Sequence, residues 1–552
     1  MAPGIANHTS IGDNDDERLP YYVDVSDDTL FTFEVLNSMC MLDNYDHLLF
    51  TLECQSVDEE KFAIPPFDVL LVLMTLTTVS DHYKEPILRQ NDPYNTSRGK
   101  LSRRAFKILR FYVKMLQKYD LNGGQRPDIE LLRCQFFLII DSLSSNARWA
   151  RPHRRKRRKT ENGVIYNFDV AEAEDSELGN IIANPYPYVS CLEQKKSILG
   201  NDLLSIKLKQ PGSFINMILW TLSNSLQEDN VLYIDNHEVW MPLLELIVDL
   251  FVLRHDFFIK HELKSAIDDY HMVQLLSESP LANFLHLIDS SQSGISFCQC
   301  IFLSCDYKFD DLDVSIELHP VYYGENTLSK TYIPRTSFSK VYKLKRSMSL
   351  RRKIIGTYCK LLTEVPTGHQ LIKPKPSADE LIKNLSYSLA KFNDIDEFEA
   401  FFLTGDLTVA SYFVPLIAED TLCHLFSNFK KSIERLDIKH VALTLVENLD
   451  NIGAFLYECT CFFDRGFFVP PERQIKSIEL VEINKADICM LALFQYIKFL
   501  EGGEVIKSNS KFHDFINAVN GNDRRRKRIL SRNAPDSNLP PLMPLLLKLL
   551  KS

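Results

Sequence analysis

The spacing of apolar residues along the chain predicts a protein built from helices. Leu30, Phe33, Leu36 and Met39 recur every three residues, which places their side chains on one face of a helix. Two prolines at 65–66 precede the next apolar run, and proline is tolerated there because the first helical N–H groups have no partner. The same criteria predict helical segments at 29–55, 67–80, 101–119, 128–143, 212–227, 239–261, 266–289, 349–363, 377–392, 411–433, 439–464, 484–500, 509–520 and 542–550.

These segments predict an all-α fold, an irregular multi-helical array in which we find no fixed repeat. The alternation at Val314–Leu318 fits one short strand or an ordered loop near 305–340. We predict a disordered acidic tail at 1–20, an N-terminal helical block at 21–143 and a flexible basic and acidic insertion at 144–188. A central helical block with the ordered loop follows at 189–347, and a C-terminal helical block at 348–552 contains a basic connector at 523–539.

The charge pattern limits how the chain could meet nucleic acid. A net charge of -10 provides no whole-chain basic field, so any DNA contact has to be local. Two local runs are basic: Arg151–Lys159, with seven Lys or Arg in nine residues, and Arg524–Arg528. Such runs are typical of nuclear-import signals, of patches that contact DNA phosphates, or of solvated loops without a partner. The candidate residues are Arg154, Arg155, Lys156, Arg157, Arg158, Arg524, Arg525 and Arg526.

The sequence lacks the motifs of common enzymes. We find no GxxxxGK[ST] or GxGxxG phosphate loop, no HExxH zinc motif and no GxSxG nucleophile elbow. The best metal candidate, Cys298-x-Cys300-x4-Cys305, has a one-residue gap where zinc sites usually have two to four. We therefore expect a chain that is not an enzyme, has no catalytic residues, and holds no metal and no cofactor. Most of the twelve cysteines are expected to be free and buried.

Targeting signals for secretion or membranes are also missing. Residues 1–16 are polar and acidic without an apolar core, so we expect no signal peptide. Apolar stretches such as 67–79 are shorter than the roughly 18 residues that a spanning helix needs. We expect a soluble, intracellular chain with no membrane partner.

Long, irregular strings of residues resemble the fungal non-SMC element five proteins. They are FEVLNSMCMLDNYDHLLFTLECQ at Phe33–Gln55, YKEPILRQNDPYNTSRGKLSRRA at Tyr83–Ala105, ELLRCQFFLIIDSL at Glu130–Leu143, HEVWMPLLELIVDLF at His237–Phe251, HPVYYGENTLSKTYIP at His319–Pro334 and LRRKIIGTYCKLL at Leu350–Leu362. The resemblance extends from about residue 30 to residue 450, and more weakly to Pro540–Leu546.

This resemblance implies a non-catalytic regulatory and chromatin-loading subunit of the SMC five–six complex, a chromosome-organising ATPase of DNA repair. Members of the family form a heterodimer with non-SMC element six and restrain the ATPase until DNA is engaged. The implied partners are the SMC five–six ATPase heads and neck, the SUMO ligase subunit, SUMO or its conjugating enzyme, and DNA indirectly. The implied location is the nucleus and the chromosome. The alternative function is an adaptor that binds DNA directly through the basic runs.

Two segments within the matched strings are too polar for a plain core. Tyr and Arg are favoured anchors at interfaces, so we interpret part of 83–104 and of 319–334 as a partner surface. The other interpretation is a structural loop cross-braced by Asn and Arg. The predicted partner-binding residues are Tyr94, Asn95, Arg98, Arg103, Arg104, Tyr322, Asn326 and Tyr332. The stretch IELVEI at Ile478–Ile483 is similarly either an edge strand for SUMO or a short core segment.

Overall fold

The computed structural model describes residues 25–42, 44–56, 59, 61–77, 98–122, 126–144, 218, 221–222, 231–263, 266, 268–289, 296–303, 305, 347–374, 376–403, 412–429, 451–464, 466, 477–535 and 539–551. The predicted tail at 1–20, nearly all of the insertion at 144–188 and nearly all of the loop near 305–340 lie outside these ranges. The described residues divide into two compact units. The first contains those up to Phe297 and those of Val365–Lys375, and the second contains those of Cys298–Leu312, Ser339–Glu364 and Pro376–Ser552.

Helices form both units. The first unit contains α1 (Asp27–Met41), α2 (Tyr45–Gln55), α3 (Phe67–Thr77), α4 (Arg98–Asn122), α5 (Pro127–Leu143), α6 (Val231–Phe257), α7 (Asp269–Glu278) and α8 (Pro280–Asp289), and a π-helical turn extends α6 through Phe258–Glu262. A short helix, α9 (Phe297–Ile301), begins at the last residue assigned to the first unit, and its other residues are assigned to the second unit. The second unit contains α10 (Met348–Thr363), α11 (Ala378–Ala390), α12 (Ile395–Leu403), α13 (Phe413–Phe429), α14 (Ile452–Asp464), α15 (Ser477–Glu501), α16 (Gly503–Ser508), α17 (Phe512–Asn533) and α18 (Leu542–Lys551).

Helix α3 lies inside the first unit, and all eleven of its residues are buried. Its sequence is apolar almost all round, which is the pattern of a fully buried helix. The terminal backbone groups of a helix lack intrahelical partners, so a buried helix needs them satisfied from outside. The side chain of Gln135 accepts from the backbone N–H of Phe67 at 2.9 Å, and Ser102 donates to the carbonyl of Thr77 at 2.6 Å. Helices α4 and α5 thus complete both ends of α3.

Helix α15 organises the second unit. It packs against α12, α13, α16 and α18, while α14 packs on α17. A run of apolar side chains from Ile483 to Phe494 faces these neighbours and is mostly buried. Lys485 lies within this run and donates to the carbonyl of Ala390 at 2.7 Å, at the last residue of α11. The ammonium group therefore satisfies a helix terminus rather than water.

The prediction of an all-α fold is confirmed, since the described residues contain helices and no strand. Four local predictions differ from the structure. The segment predicted to be helical at 29–55 is two helices, Asp27–Met41 and Tyr45–Gln55. The helix predicted at 266–289 is two helices, because Pro280 disfavours helical backbone at Ser279. The connector predicted at 523–539 is helical as far as Asn533. The stretch Ile478–Ile483 begins α15, so the edge-strand interpretation is wrong. No helix in the described ranges has both the length and the apolarity of a membrane span.

Candidate partner and nucleic-acid surfaces

The predicted partner-binding residues fall mostly outside the described ranges. Those outside are Tyr94, Asn95, Tyr322, Asn326 and Tyr332, and of Arg98 only the helical backbone at the start of α4 is described. Arg103 and Arg104 follow on α4, where Arg103 is exposed and Arg104 is half-buried. The two neighbours therefore face different surroundings.

Arg104 joins α4 to α2. Its guanidinium donates two hydrogen bonds to Glu53, at 2.9 and 2.8 Å, and a third to the carboxylate of Asp46. The hydrogen bond to Glu53 is the main cause that raises the pKa of Arg104 above its ordinary value. Both carboxylates keep about a third of their surface in water. This geometry joins α4 to α2 and leaves little of the Arg104 cation for a partner. Residues 83–97 of the predicted partner segment lie outside the described ranges.

Of the residues predicted to contact DNA phosphates, one group lies outside the described ranges and the other lies on α17. Arg154, Arg155, Lys156, Arg157 and Arg158 lie outside the described residues. The second run lies on α17, where Arg524 is exposed and Arg525 donates to the carbonyl of Phe463 at 3.0 Å. Arg526, contrary to the prediction, does not face solvent: its side chain is 2% exposed.

Arg526 forms a buried ion pair with Asp487 of α15. Two parallel hydrogen bonds, of 2.6 and 3.0 Å, connect the guanidinium to the carboxylate. Burial raises the pKa of the Asp487 carboxyl, and the Arg526 charge opposes that rise. Asp523, one turn earlier, accepts from the backbone N–H groups that begin α18. Because these charged groups have partners within the fold, α17 stays helical where the sequence predicts a connector.

The outer face of α17 keeps part of the predicted basic run. Arg524, Lys527, Arg528 and Arg532 are exposed. At 100° per residue they lie within an arc of about 140°. Of the basic run at Arg524–Arg528, only the residues on this face are free to contact an external anion such as a DNA phosphate.

Helix α1 carries an apolar stripe that the sequence analysis missed. Phe31, Val35 and Leu42 are 68%, 36% and 77% exposed. Their spacing places them on one side of the helix, opposite the buried Phe33 and Leu36. The sequence does contain a signal for this stripe. Phe31, Val35 and Leu42 repeat at helical spacing, on a different face from the buried Phe33 and Leu36. Residues 27–55 contain six Asp or Glu and no Lys or Arg.

The cysteine candidates belong to the packing of the second unit. Cys300 and Cys305 are buried near Arg351, which donates to the carbonyls of Ile301 and Leu303. Burial raises the pKa of the Cys300 thiol to about 12. In the part of the chain that the structure describes, no three potential ligands gather in a way that could hold a metal ion.

Comparison with known proteins identifies the family. The model of the DNA repair proteins Nse5 and Nse6 matches residues 4–509. This chain belongs to the Nse5 family. It is also 44% identical over 532 residues to the Saccharomyces cerevisiae protein called non-structural maintenance of chromosome element 5, across 95% of this chain and 93% of that protein. The resemblance inferred from the sequence is thereby confirmed. The Nse5 match ends before α17, so the basic face of that helix lies beyond it.

Proposed function

We propose that this chain is a non-catalytic subunit of the SMC five–six complex in DNA repair and chromosome maintenance, located in the nucleus on chromosomes. The match of the Nse5 family model over residues 4–509 carries the proposal. The yeast relative is named as an element of chromosome maintenance outside the structural SMC chains, which fits a subunit that assists an ATPase. The absence of the common catalytic motifs supports a binding role.

The regulatory mechanism we propose is conformational. A subunit without catalytic groups alters an ATPase only by binding two of its states with different affinity. Binding at the heads and neck would favour the open state, restrain ATP hydrolysis until DNA is engaged, and assist loading on chromatin. A link to SUMO conjugation through the SUMO ligase subunit follows from membership of the same assembly.

The test is ATP turnover by the reconstituted SMC five–six ATPase. We expect the heterodimer of this chain with non-SMC element six to lower turnover without DNA and to release the restraint when DNA is added. Unchanged turnover, with binding confirmed by co-elution, would rule out the regulatory role. Substrate SUMO conjugation measured in the same assembly, with and without this chain, tests the SUMO link separately.

The stripe of Phe31, Val35 and Leu42 is the described surface that we assign to the heterodimer partner. Its acidic flank is formed by Asp27 and Asp28 in the first turn of α1 and by Glu34 about two turns later. Apolar side chains beside carboxylates complement a basic amphipathic segment, with the apolar centre providing affinity and the charged rim orientation. The partner segment is therefore proposed to be a helix with Lys or Arg beside its apolar face.

A double variant, Phe31→Ser with Leu42→Ser, tests this surface. The lost burial amounts to about 2–4 kcal/mol. That corresponds to a Kd for non-SMC element six that is weaker by about 30- to 700-fold. Ile372→Ser, at another exposed apolar residue of the same unit, is the control. Equal affinities for the two variants would exclude α1 as the partner surface.

An adaptor that binds DNA directly remains the alternative function. The exposed cations on α17 favour this function, because a helix holds these positive side chains on one face, where they could contact DNA phosphates. Deleting 151–159 and neutralising the α17 face should weaken DNA binding and flatten its dependence on salt. If only nuclear import of the chain suffers, the adaptor function is excluded.

A further inference from the structure

Helix α11 presents a tyrosine between two lysines on its outer face. Tyr387 is 51% exposed, and Lys383 and Lys391 are exposed about one turn before it and one turn after it. At 100° per residue the three positions lie within an arc of about 80°, so they form one row along the helix. With a rise of 1.5 Å per residue the row is about 12 Å long. It lies outside both basic runs and outside the apolar stripe of α1.

Contacts on two helices hold the ring of Tyr387 in place. The ammonium group of Lys391 lies 3.7 Å from the ring centroid, over one face of the ring. The imidazole of His424 on α13 makes an edge contact with the same ring, with 5.9 Å between the centroids. Helices α11 and α13 pack closely, and the hydroxyl oxygen of Ser386 lies 3.3 Å from the carbonyl oxygen of Ile417. A large exposed ring that is already held loses little conformational freedom when a partner covers it.

The charge nearest to the ring is positive, although carboxylates lie farther away. Each lysine is four residues from Tyr387, about 6 Å along the helix axis. Asp379 and Glu380 are eight and seven residues away, more than about 10 Å along the axis, and charges in water are largely screened beyond about 8 Å at physiological ionic strength. On α13 the Asp420 carboxylate lies 3.4 Å from the imidazole of His424. A partner that touches the ring therefore meets mainly the charge of the two lysines.

The composition of this row favours a protein partner over a nucleic acid. Two lysines provide two phosphate contacts, whereas strong binding to DNA rests on about six to ten. The ammonium group of Lys391 also covers a face of the ring on which an unpaired base would stack. A central tyrosine with a charged rim is typical of protein interfaces, where tyrosine is among the residues that contribute most to affinity. The complementary partner has an apolar or aromatic side chain flanked by carboxylates.

A second exposed tyrosine of the same unit differs in its surroundings. Tyr457 on α14 is also 51% exposed, and the ammonium group of Lys511 lies 5.6 Å from its ring centroid. The residues four positions before and after it are Gly453 and Cys461, so no cation flanks this ring at that spacing on its own helix. The two tyrosines therefore have equal exposure and different flanking charge, which makes Tyr457 a matched control.

We propose that Lys383, Tyr387 and Lys391, with His424 beside them, form an interaction surface for an acidic segment of the SMC five–six ATPase. An apolar or aromatic side chain of that segment packs on the tyrosine ring, and its carboxylates lie beside the lysines. The surface rests on the proposed function, because a subunit that restrains an ATPase has to bind both its heterodimer partner and the ATPase. The stripe of α1 has an acidic rim, and the opposite sign on α11 indicates a different partner.

The experiment measures the Kd between the heterodimer of this chain with non-SMC element six and the reconstituted SMC five–six ATPase. The test variant combines Tyr387→Ala with Lys383→Gln and Lys391→Gln. The control combines Tyr457→Ala with Lys511→Gln and Lys548→Gln, so it removes an equally exposed ring and the same number of charges. We expect a Kd at least about tenfold weaker for the test variant, as for loss of an interface anchor, and the parent value for the control. Added salt should weaken the parent more than the test variant, since the lysines contribute a screened attraction.

The outcomes separate failure of this surface from failure of the proposed function. If the parent heterodimer does not bind the ATPase, the proposed function itself fails. If the parent binds and the test variant binds equally well, only the α11 surface is overturned. Equal losses in the test variant and the control would show a general effect of charge and would also overturn it. Weaker binding of non-SMC element six by the test variant would move α11 to the heterodimer interface. Loss of binding to fluorescent single-stranded DNA, with ATPase binding retained, would replace the protein partner with a nucleic acid.

Discussion

Removal of the Asp487 carboxylate should destabilise the second unit strongly. The side chains of Arg526 and Asp487 are 2% and 3% exposed, and both oxygens of the carboxylate accept from the guanidinium. Asp487→Ala leaves a cation in the core without its partner, which costs about 3–5 kcal/mol. For a domain of this size a loss of 1 kcal/mol lowers Tm by about 2–4 °C, so we expect a decrease of about 6–20 °C.

Replacing both members of the pair should behave differently. Asp487→Leu combined with Arg526→Met removes the buried charges together and restores apolar packing of similar volume. Such replacements are neutral or stabilising by about 1–4 kcal/mol. Thermal melting of the full chain gives the total effect, and hydrogen exchange of the α15 and α17 peptides assigns it to the second unit. The DNA affinity of the double variant should be unchanged, because the outer face of α17 keeps its charges.

The surface pair of Lys507 and Glu504 provides the comparison, since these side chains are 42% and 89% exposed. Lys507→Ala should change stability by less than about 0.5 kcal/mol. Our reasoning about α17 is refuted if Asp487→Ala is as mild as Lys507→Ala. It is also refuted if the apolar double variant loses as much stability as Asp487→Ala alone.

Three other predictions address the brace on α4, the buried thiols and two glycines. Arg104→Ala should cost about 1–2 kcal/mol in urea unfolding because its carboxylate partners keep about a third of their surface in water. Arg104→Lys should recover only part of this loss, since an ammonium cannot form the paired hydrogen bonds. An alkylating reagent near neutral pH should modify the exposed Cys54 and spare Cys300 by peptide mass spectrometry, because burial raises the pKa of Cys300 to about 12 and the thiolate is the reactive form. Modification of Cys300 at the rate of Cys54 in the folded chain would contradict its burial. Gly502→Ala should lower stability by about 1–2 kcal/mol because its φ is +85°, whereas Gly521→Ala, in helical backbone with no atom close to the new methyl group, should raise it by up to about 1 kcal/mol. Equal melting shifts of one sign would contradict this assignment.

The sequence by itself determined the all-α fold class and the family. The apolar period predicts a helix at 349–363, and the structure has one at Met348–Thr363. A helix predicted to start at residue 67, after Pro65 and Pro66, is present at Phe67–Thr77. These predictions succeed because helical periodicity and the strings that resemble the family are local properties, which neighbouring residues decide together.

Only the tertiary structure decided what the charged and the outward apolar residues do. Arg524 and Arg526 are the same residue type two positions apart, yet one faces solvent and the other is buried. The difference comes from Asp487, 39 residues away on another helix, and no local pattern records that distance. Phe31 and Phe33 differ in the same way, because only the packing of α1 on its neighbours selects which of two apolar faces is covered. Burial of a side chain depends on partners that are remote in sequence. The surfaces proposed for binding could therefore be identified only from the tertiary structure.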